Sequence, residues 1–339
     1  MELIKFDRSP YLEEGKKAYG ERAVMEQWAK KLACRNYDNV YLLGIGGTEF
    51  DFQPFAWFAD RKSASDFYQI NATSLKAEWP KHMTEKSLVI TSSISGTTKE
   101  TVESTRMLVD RGIDVLAFAP PQTALAEAAS EYIPLNLGQN GGMEHVLLLI
   151  TFLVYGYLHE RGEFPDYPEY ADQLSHLFED LADVREQFDQ TADEIASKEH
   201  RTPYTIITGS GSVLGEMMMF SMCFLEEMQW VRTRPCPADQ FFHGCLELIQ
   251  DDVTVFIFKT EDNTRFEADR VESFCRQIGC RHYVFDARDY EMPGFDEKFR
   301  ELLSHWIICT LMDDRMSAHY EKYTGHNMNI RRYYRKFEY

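Results

Sequence analysis

Six of the eight residues from Thr91 to Thr98 are Ser or Thr, and the only glycine among them, Gly96, stands just before a helical pattern. The three residues before them, Leu88-Val89-Ile90, favour a strand. A strand that ends in hydroxyls where a helix begins is suited to an anion. The first helical N–H groups lack partners and carry a partial positive charge, and Ser and Thr add neutral donors. Ser93, Ser95, Thr97 and Thr98 are therefore candidate phosphate ligands. An ordinary helix cap would account for only one hydroxyl. A second turn, Gly44–Thr48, also follows an apolar strand, but it lacks the full G-x-G-x-x-G. That favours a monophosphate over a dinucleotide.

Two further groups could move protons. Glu226 and Glu227 close the uncharged run "MMMFSMCFL" (Met217–Leu225), which reads as a helix buried on all sides. A carboxylate at its end is costly to bury unless paired or protonated, which suits a group that both takes and gives protons. Spacing alone does not separate Glu226 from Glu227. His243 stands between Phe242 and Gly244, and histidine is the side-chain type most often used for proton transfer.

The elements that must hold these residues alternate strand, turn, helix. Residues 11–33 read as one leading helix. Strands are expected at "VYLLG", "DFYQI", "SLVITS", "IDVLAFA" and "YIPLNL", with helices from Thr101 to Gly112 and Thr123 to Glu131. "VLLLITFLVYGYL" (Val146–Leu158) is too short to span a membrane and reads as a buried helix. After an acidic stretch the pattern restarts at "YTIITGSGSVLGE" and continues with "VTVFIFK" and "TEDNTRFEADRV". The expectation is an α/β chain of two doubly wound parallel-sheet domains in pseudo-repeat. Residues 1–163 would form the first domain, 164–200 a long solvated helical connector, and 201–339 the second.

The charge balance, 36 basic against 55 acidic residues, gives a net −19 and disfavours nucleic acid or an anionic membrane as partner. The N-terminus has no apolar segment of the secretory kind. Seven cysteines without a C-x-x-C argue for a reducing cytoplasm and against zinc.

"GIGGT" followed by "SSISGTTKET" resembles the sugar isomerase (SIS) fold, whose S-x-S-G-x-T loop grips the phosphate of a phosphosugar. The resemblance implies that Gly47, Thr48, Ser93, Ser95 and Thr98 contact phosphate. Ile94 departs from relatives that carry Gln there. "FLEEMQWVRTRPCPADQFFHGCLELI", "EDNTRFEADRVESF" and the tail "RRYYRKFEY" resemble the deglycases of 6-phosphorylated Amadori compounds, which act on fructoselysine 6-phosphate and 6-phosphofructose-aspartate. A more distant likeness is to the isomerase half of glucosamine-6-phosphate synthase.

In that family the catalytic pair is a Glu and a His sixteen residues apart, which here selects Glu227 and His243. The resemblance also implies that Glu144 and His145 line the site and that Lys336 contacts sugar. It implies a homodimer with sites at the interface, and neither metal nor organic cofactor. The chain departs from the family's Gly-Glu with Asp239-Gln240, and from its Phe-x-His-Gly-Pro with Cys245. The expected activity is cleavage of an Amadori 6-phosphate to glucose 6-phosphate and a free amine or amino acid. The same residues would also serve an aldose–ketose or aminosugar-phosphate isomerase, and a phosphosugar-binding regulator would need the cradle alone.

Overall fold

A computed structural model describes residues 3–137, 142–334 and 336–337. The chain divides into two compact units, Ser9–His176 and Met1–Arg8 with Leu177–Tyr339.

The first unit opens with helices α1 (Arg8–Gly20) and α2 (Arg22–Ala33), not the single helix expected. The break falls at Gly20, a poor helix former. The units of the sheet follow in turn: β1 (Asn39–Gly44), α3 (Gly47–Lys62), β2 (Asp66–Asn71), α4 (Ala72–Ala77), β3 (Ser87–Ser92), α5 (Lys99–Val109), β4 (Asp114–Ala119), α6 (Ala124–Ala128) and β5 (Glu131–Pro134). All pairings are parallel, in the order β2-β1-β3-β4-β5. β1 and β3 are buried along their whole length, as central strands covered on both faces must be. Helix α7 (Met143–Glu160) is buried from His145 to Leu158 and packs on α2; α8 (Tyr167–Gln173) follows.

The second unit begins with α9 (Leu177–Glu199). The stretch 164–200 is not a solvated connector, because α8 belongs to the first unit and α9 to the second. Leu177, Leu181, Val184, Phe188, Ala192 and Ile195 are buried along one face of α9, and the acids are spread over the rest. The abundance of acids hid a helical apolar stripe.

A four-stranded parallel sheet follows, in the order β7-β6-β8-β9. It comprises β6 (Tyr204–Gly209), α10 (Leu214–Met218), β7 (Thr233–Pro237), β8 (Val253–Lys259), α11 (Arg265–Ile278) and β9 (His282–Asp286). The sequence reading missed β7 and β9. Both are edge strands, and β7 holds two prolines that a central strand would not tolerate. Helices α12 (Ser304–Cys309) and α13 (Ser317–Thr324) close the unit.

Two π-helical segments, Met219–Met228 and Thr310–Met316, interrupt the helical run after α10 and that between α12 and α13. The first carries most of "MMMFSMCFL". It buries Met219, Phe220, Ser221 and Leu225 but exposes Met222, so burial on all sides does not hold within one chain. Among the described residues, no helix is long and apolar enough to cross a membrane.

Candidate functional site

In each sheet the chain reverses direction of winding between two neighbouring central strands, and the loops after those strands flank a crevice where ligands of such folds bind. In the first unit the strands are β1 and β3, and the Thr91 hydroxyl, donating to the Leu43 carbonyl at 2.8 Å, ties them together. The loop after β1 turns closely: a Cβ on Gly44 would lie 2.5 Å from the Glu49 backbone, so only glycine fits. Gly47 and Thr48 then open α3.

The loop after β3 is the hydroxyl-rich stretch. Gly96 has φ +61, and a Cβ there would strike the Thr123 hydroxyl at 2.2 Å. The turn carries Ser93, Ser95 and Thr98 to the start of α5. Ser93 Oγ lies 3.4 Å from Ser95 Oγ and 3.1 Å from Thr98 Oγ1. Thr97 donates to Ser95 Oγ from its backbone N–H (3.3 Å) and its hydroxyl (3.1 Å). Thr98 occupies the cap position of α5 but makes no side-chain bond to the helix backbone. Ser93 Oγ also accepts from the Gly96 N–H at 3.1 Å, so these hydroxyls bond one another and the loop backbone, while the Thr98 side chain leaves the first helical N–H groups free of a cap. This arrangement can hold a phosphate.

The second unit repeats the layout with a different outcome. Its crevice lies between β6 and β8, and Asp262 fills it. The Asp262 carboxylate accepts from Ser212 N (3.2 Å), Ser212 Oγ (3.0 Å), Thr260 Oγ1 (2.7 Å), Thr264 N (2.8 Å) and Thr264 Oγ1 (2.5 Å). The donors an anion would need are already satisfied by a side chain of the same loop. Sequence reading saw the likeness of the two loops but not that one closes on its own acid.

Glu227 stands one residue before the end of the first π-helical segment and lines an open cleft of about 970 Å³. Its carboxylate accepts from Arg331 Nε at 2.5 Å and keeps 34% side-chain exposure. Burial in an apolar enclosure, on which the sequence argument for this acid rested, is therefore not what surrounds it; a guanidinium partner is. Neighbouring Glu226 is exposed and accepts from the Thr233 hydroxyl at 2.7 Å. Gln229, which also lines the cleft, accepts from the Thr324 hydroxyl (2.6 Å) and donates to the His326 carbonyl (3.0 Å) through its side chain. Arg331 escaped the sequence reading, although it stands in the quoted tail. A basic tail in an acidic chain was the available signal.

His243 closes a single 3₁₀ turn, Phe241–His243, and its ring is exposed. It does not line the Glu227 cleft, and no hydrogen bond joins the two side chains. Two residues on, the Cys245 thiol is buried beside Cys236, whose hydrogen bond, reinforced by Arg234, pulls it down to about 7. Glu144 lies half-buried in the first turn of α7. His145 turns inward instead, with Nδ1 2.7 Å from Glu14 Oε1 and both groups buried. Lys336 is exposed in a terminal turn, and parts of the quoted tail (335, 338–339) lie outside the described residues. Among the described residues one group, Glu216, Cys309 and Asp313, has ligand atoms within 4.8 Å of one another; it does not line the Glu227 cleft.

No family model matches the chain. In sequence it is 28% identical to fructosamine deglycase FrlB of Bacillus subtilis over 332 residues, covering 93% of this chain and 97% of that protein. It is 23% identical to fructoselysine 6-phosphate deglycase of Escherichia coli, covering 92% and 88%. In structure it superposes on a candidate phosphosugar isomerase of Bacillus subtilis with a TM-score of 0.89 at 24% identity, covering 96% of this chain and all of the other. The C-terminal domain of glucosamine-fructose-6-phosphate aminotransferase from Francisella tularensis gives 0.74 at 13%, covering 96% and 98%. The chain therefore has the doubly wound two-domain SIS fold of the phosphosugar isomerases, and along nine-tenths of its sequence it is similar to sugar–amine deglycases.

Proposed function

We propose that this chain is a phosphosugar deglycase that cleaves a 6-phosphorylated Amadori compound to glucose 6-phosphate and a free amine or amino acid. The observation that carries the reading is Glu227, set in a cleft large enough for a sugar conjugate, in a chain similar to deglycases over nearly its whole length.

The loop of Ser93, Ser95 and Thr98, with Gly47 and Thr48, holds the phosphate, whose remote binding energy positions the reacting carbons. Glu227, oriented by Arg331, removes a proton from C1 of the 1-amino-1-deoxy-ketose while the C2 oxygen gains one, giving an enaminol. Return of a proton to C2 gives an imine at C1. Water adds to that imine, and the C–N bond breaks to release the amine and the aldehyde of glucose 6-phosphate. His243 assists ring opening and protonates the departing nitrogen. Glu144 and Lys336 contact the sugar. The protein acts in the cytoplasm as a homodimer with each site built at the interface.

The test is a panel of synthetic Amadori 6-phosphates with glucose 6-phosphate release as readout. Release from at least one member is expected. No release from any, together with isomerisation of a free sugar phosphate, would replace the deglycase by an isomerase.

A further inference from the structure

The amine half of the substrate is open in this reading, and the Glu227 cleft speaks to it. The chain is acidic, and most guanidinium groups of the second unit are taken by carboxylates: Arg185 by Asp314, Arg265 by Asp286, Arg300 by Glu261 and Arg315 by Asp189. The cleft departs from this. Arg201, Arg232, Arg331 and Arg332 all line it, against two acids, Glu226 and Glu227. Arg331 is paired with Glu227. Among the described residues, Arg201, Arg232 and Arg332 have no carboxylate within ion-pair distance. Three unneutralised guanidinium groups in one concavity repel one another and would be favoured by an anion between them.

One of them is also held in place. Arg332 lies over the Trp230 ring, 4.1 Å from its centroid, and the His326 ring tilts against the same indole with centroids 4.0 Å apart. Trp230 has φ +59, a left-handed backbone that a bulky residue adopts only under local constraint. Beside it, Gln229 is clamped onto Thr324 and His326. Strain is thus held in the backbone at the residue that supports a guanidinium facing the cleft.

We propose that this arginine-lined cleft receives the amine half of the substrate through its carboxylates, with Arg232 and Arg332 as the specificity-determining side chains and Trp230 as the positioning residue for Arg332. The favoured substrates are then Amadori 6-phosphates of dicarboxylic amino acids. The inference rests on the deglycase reading, because C1 carries both the proton that Glu227 moves and the nitrogen of the amine. The amino acid lies one bond from the reacting carbon and must enter the cleft that Glu227 lines. A planar guanidinium binds a carboxylate through two parallel hydrogen bonds, whereas a cationic side chain would meet four guanidinium groups against two carboxylates, one of them already paired.

The test uses the full-length protein and the 6-phosphofructosyl conjugates of aspartate, glycine and methylamine, which carry two, one and no carboxylates. kcat/KM is expected to fall about tenfold or more at each carboxylate removed, chiefly through KM, as loss of a charge-assisted hydrogen-bonded pair requires. In Arg232→Gln, and separately in Arg332→Gln, the aspartate-to-methylamine ratio of kcat/KM should fall at least tenfold. Trp230→Ala should lower the same ratio by loosening Arg332. The ratio does not depend on how much of a variant is folded. Equal kcat/KM for the three conjugates, or an unchanged ratio in both arginine variants, would overturn the assignment. Should no conjugate release glucose 6-phosphate, the deglycase reading fails, and calorimetric binding of the same three conjugates then decides the cleft separately. Equal affinities would overturn it.

Discussion

At the scale of single residues, the proposed chemistry rests on two side chains with different surroundings. Glu227 is gripped by Arg331 in a cleft, while His243 is exposed on a short turn without a hydrogen-bonding partner for its ring among the described residues. Glu227→Gln and His243→Asn should each lower turnover at least ~10²-fold while circular dichroism and melting stay near wild type, since each removes a proton shuttle. Glu226→Gln should change turnover only mildly, because that carboxylate bonds Thr233 at the rim. An essential Glu226 with a dispensable Glu227 would reassign the base by one residue. The types of these residues were legible in the sequence, and the family resemblance selected between adjacent glutamates. Arg331 was not legible as the partner of Glu227, because 104 residues separate them and only folding brings them together.

At the scale of elements, the strand–loop–helix unit after β3 carries the phosphate proposal. Replacing Ser95 and Thr98 together by Ala should weaken phosphate-bearing ligands by about 1–1.5 kcal/mol for each neutral hydrogen bond lost. The unphosphorylated analogue should bind nearly as before, and an equal loss for both in a titration would reject the phosphate role. Asp262 explains why the matching unit after β8 should not compete for the same ligand. A different element carries a prediction for the acid response. His305 in α12 is buried, and burial pushes its imidazole down to about 3. The folded chain keeps the ring neutral, while the unfolded chain protonates it below about 6.5. Its contribution is therefore fully present above pH 6.5 and drains as pH falls toward 3. Between pH 7 and pH 4 the wild type should lose about 3 kcal/mol more than His305→Gln in urea titrations. Parallel losses would show that this histidine does not govern acid stability.

At the scale of the whole molecule, the exposed Met222 on a largely apolar π-helical segment suits the proposed two-fold dimer. If each site takes Glu227 from one chain and His243 from its partner, mixing the two inactive variants restores some sites. A mixed dimer then has one site with both lesions and one with none. With random exchange half the dimers are mixed, so activity should return to roughly one quarter of wild type. No recovery after exchange verified by mass spectrometry would reject the shared site. The sequence by itself determined the parallel α/β alternation, the repeated glycine turns and the hydroxyl loop, because buried central strands and glycine- or hydroxyl-rich turns are written in local composition and spacing. It misjudged α9, where acids masked an apolar stripe, and missed β7 and β9, whose edge positions relax the hydrophobic pattern. Only the tertiary structure decided which of two similar crevices stays open to an anion and that the C-terminal arginines gather at Glu227. Both outcomes depend on side chains far apart in sequence, and local periodicity carries no record of such pairings.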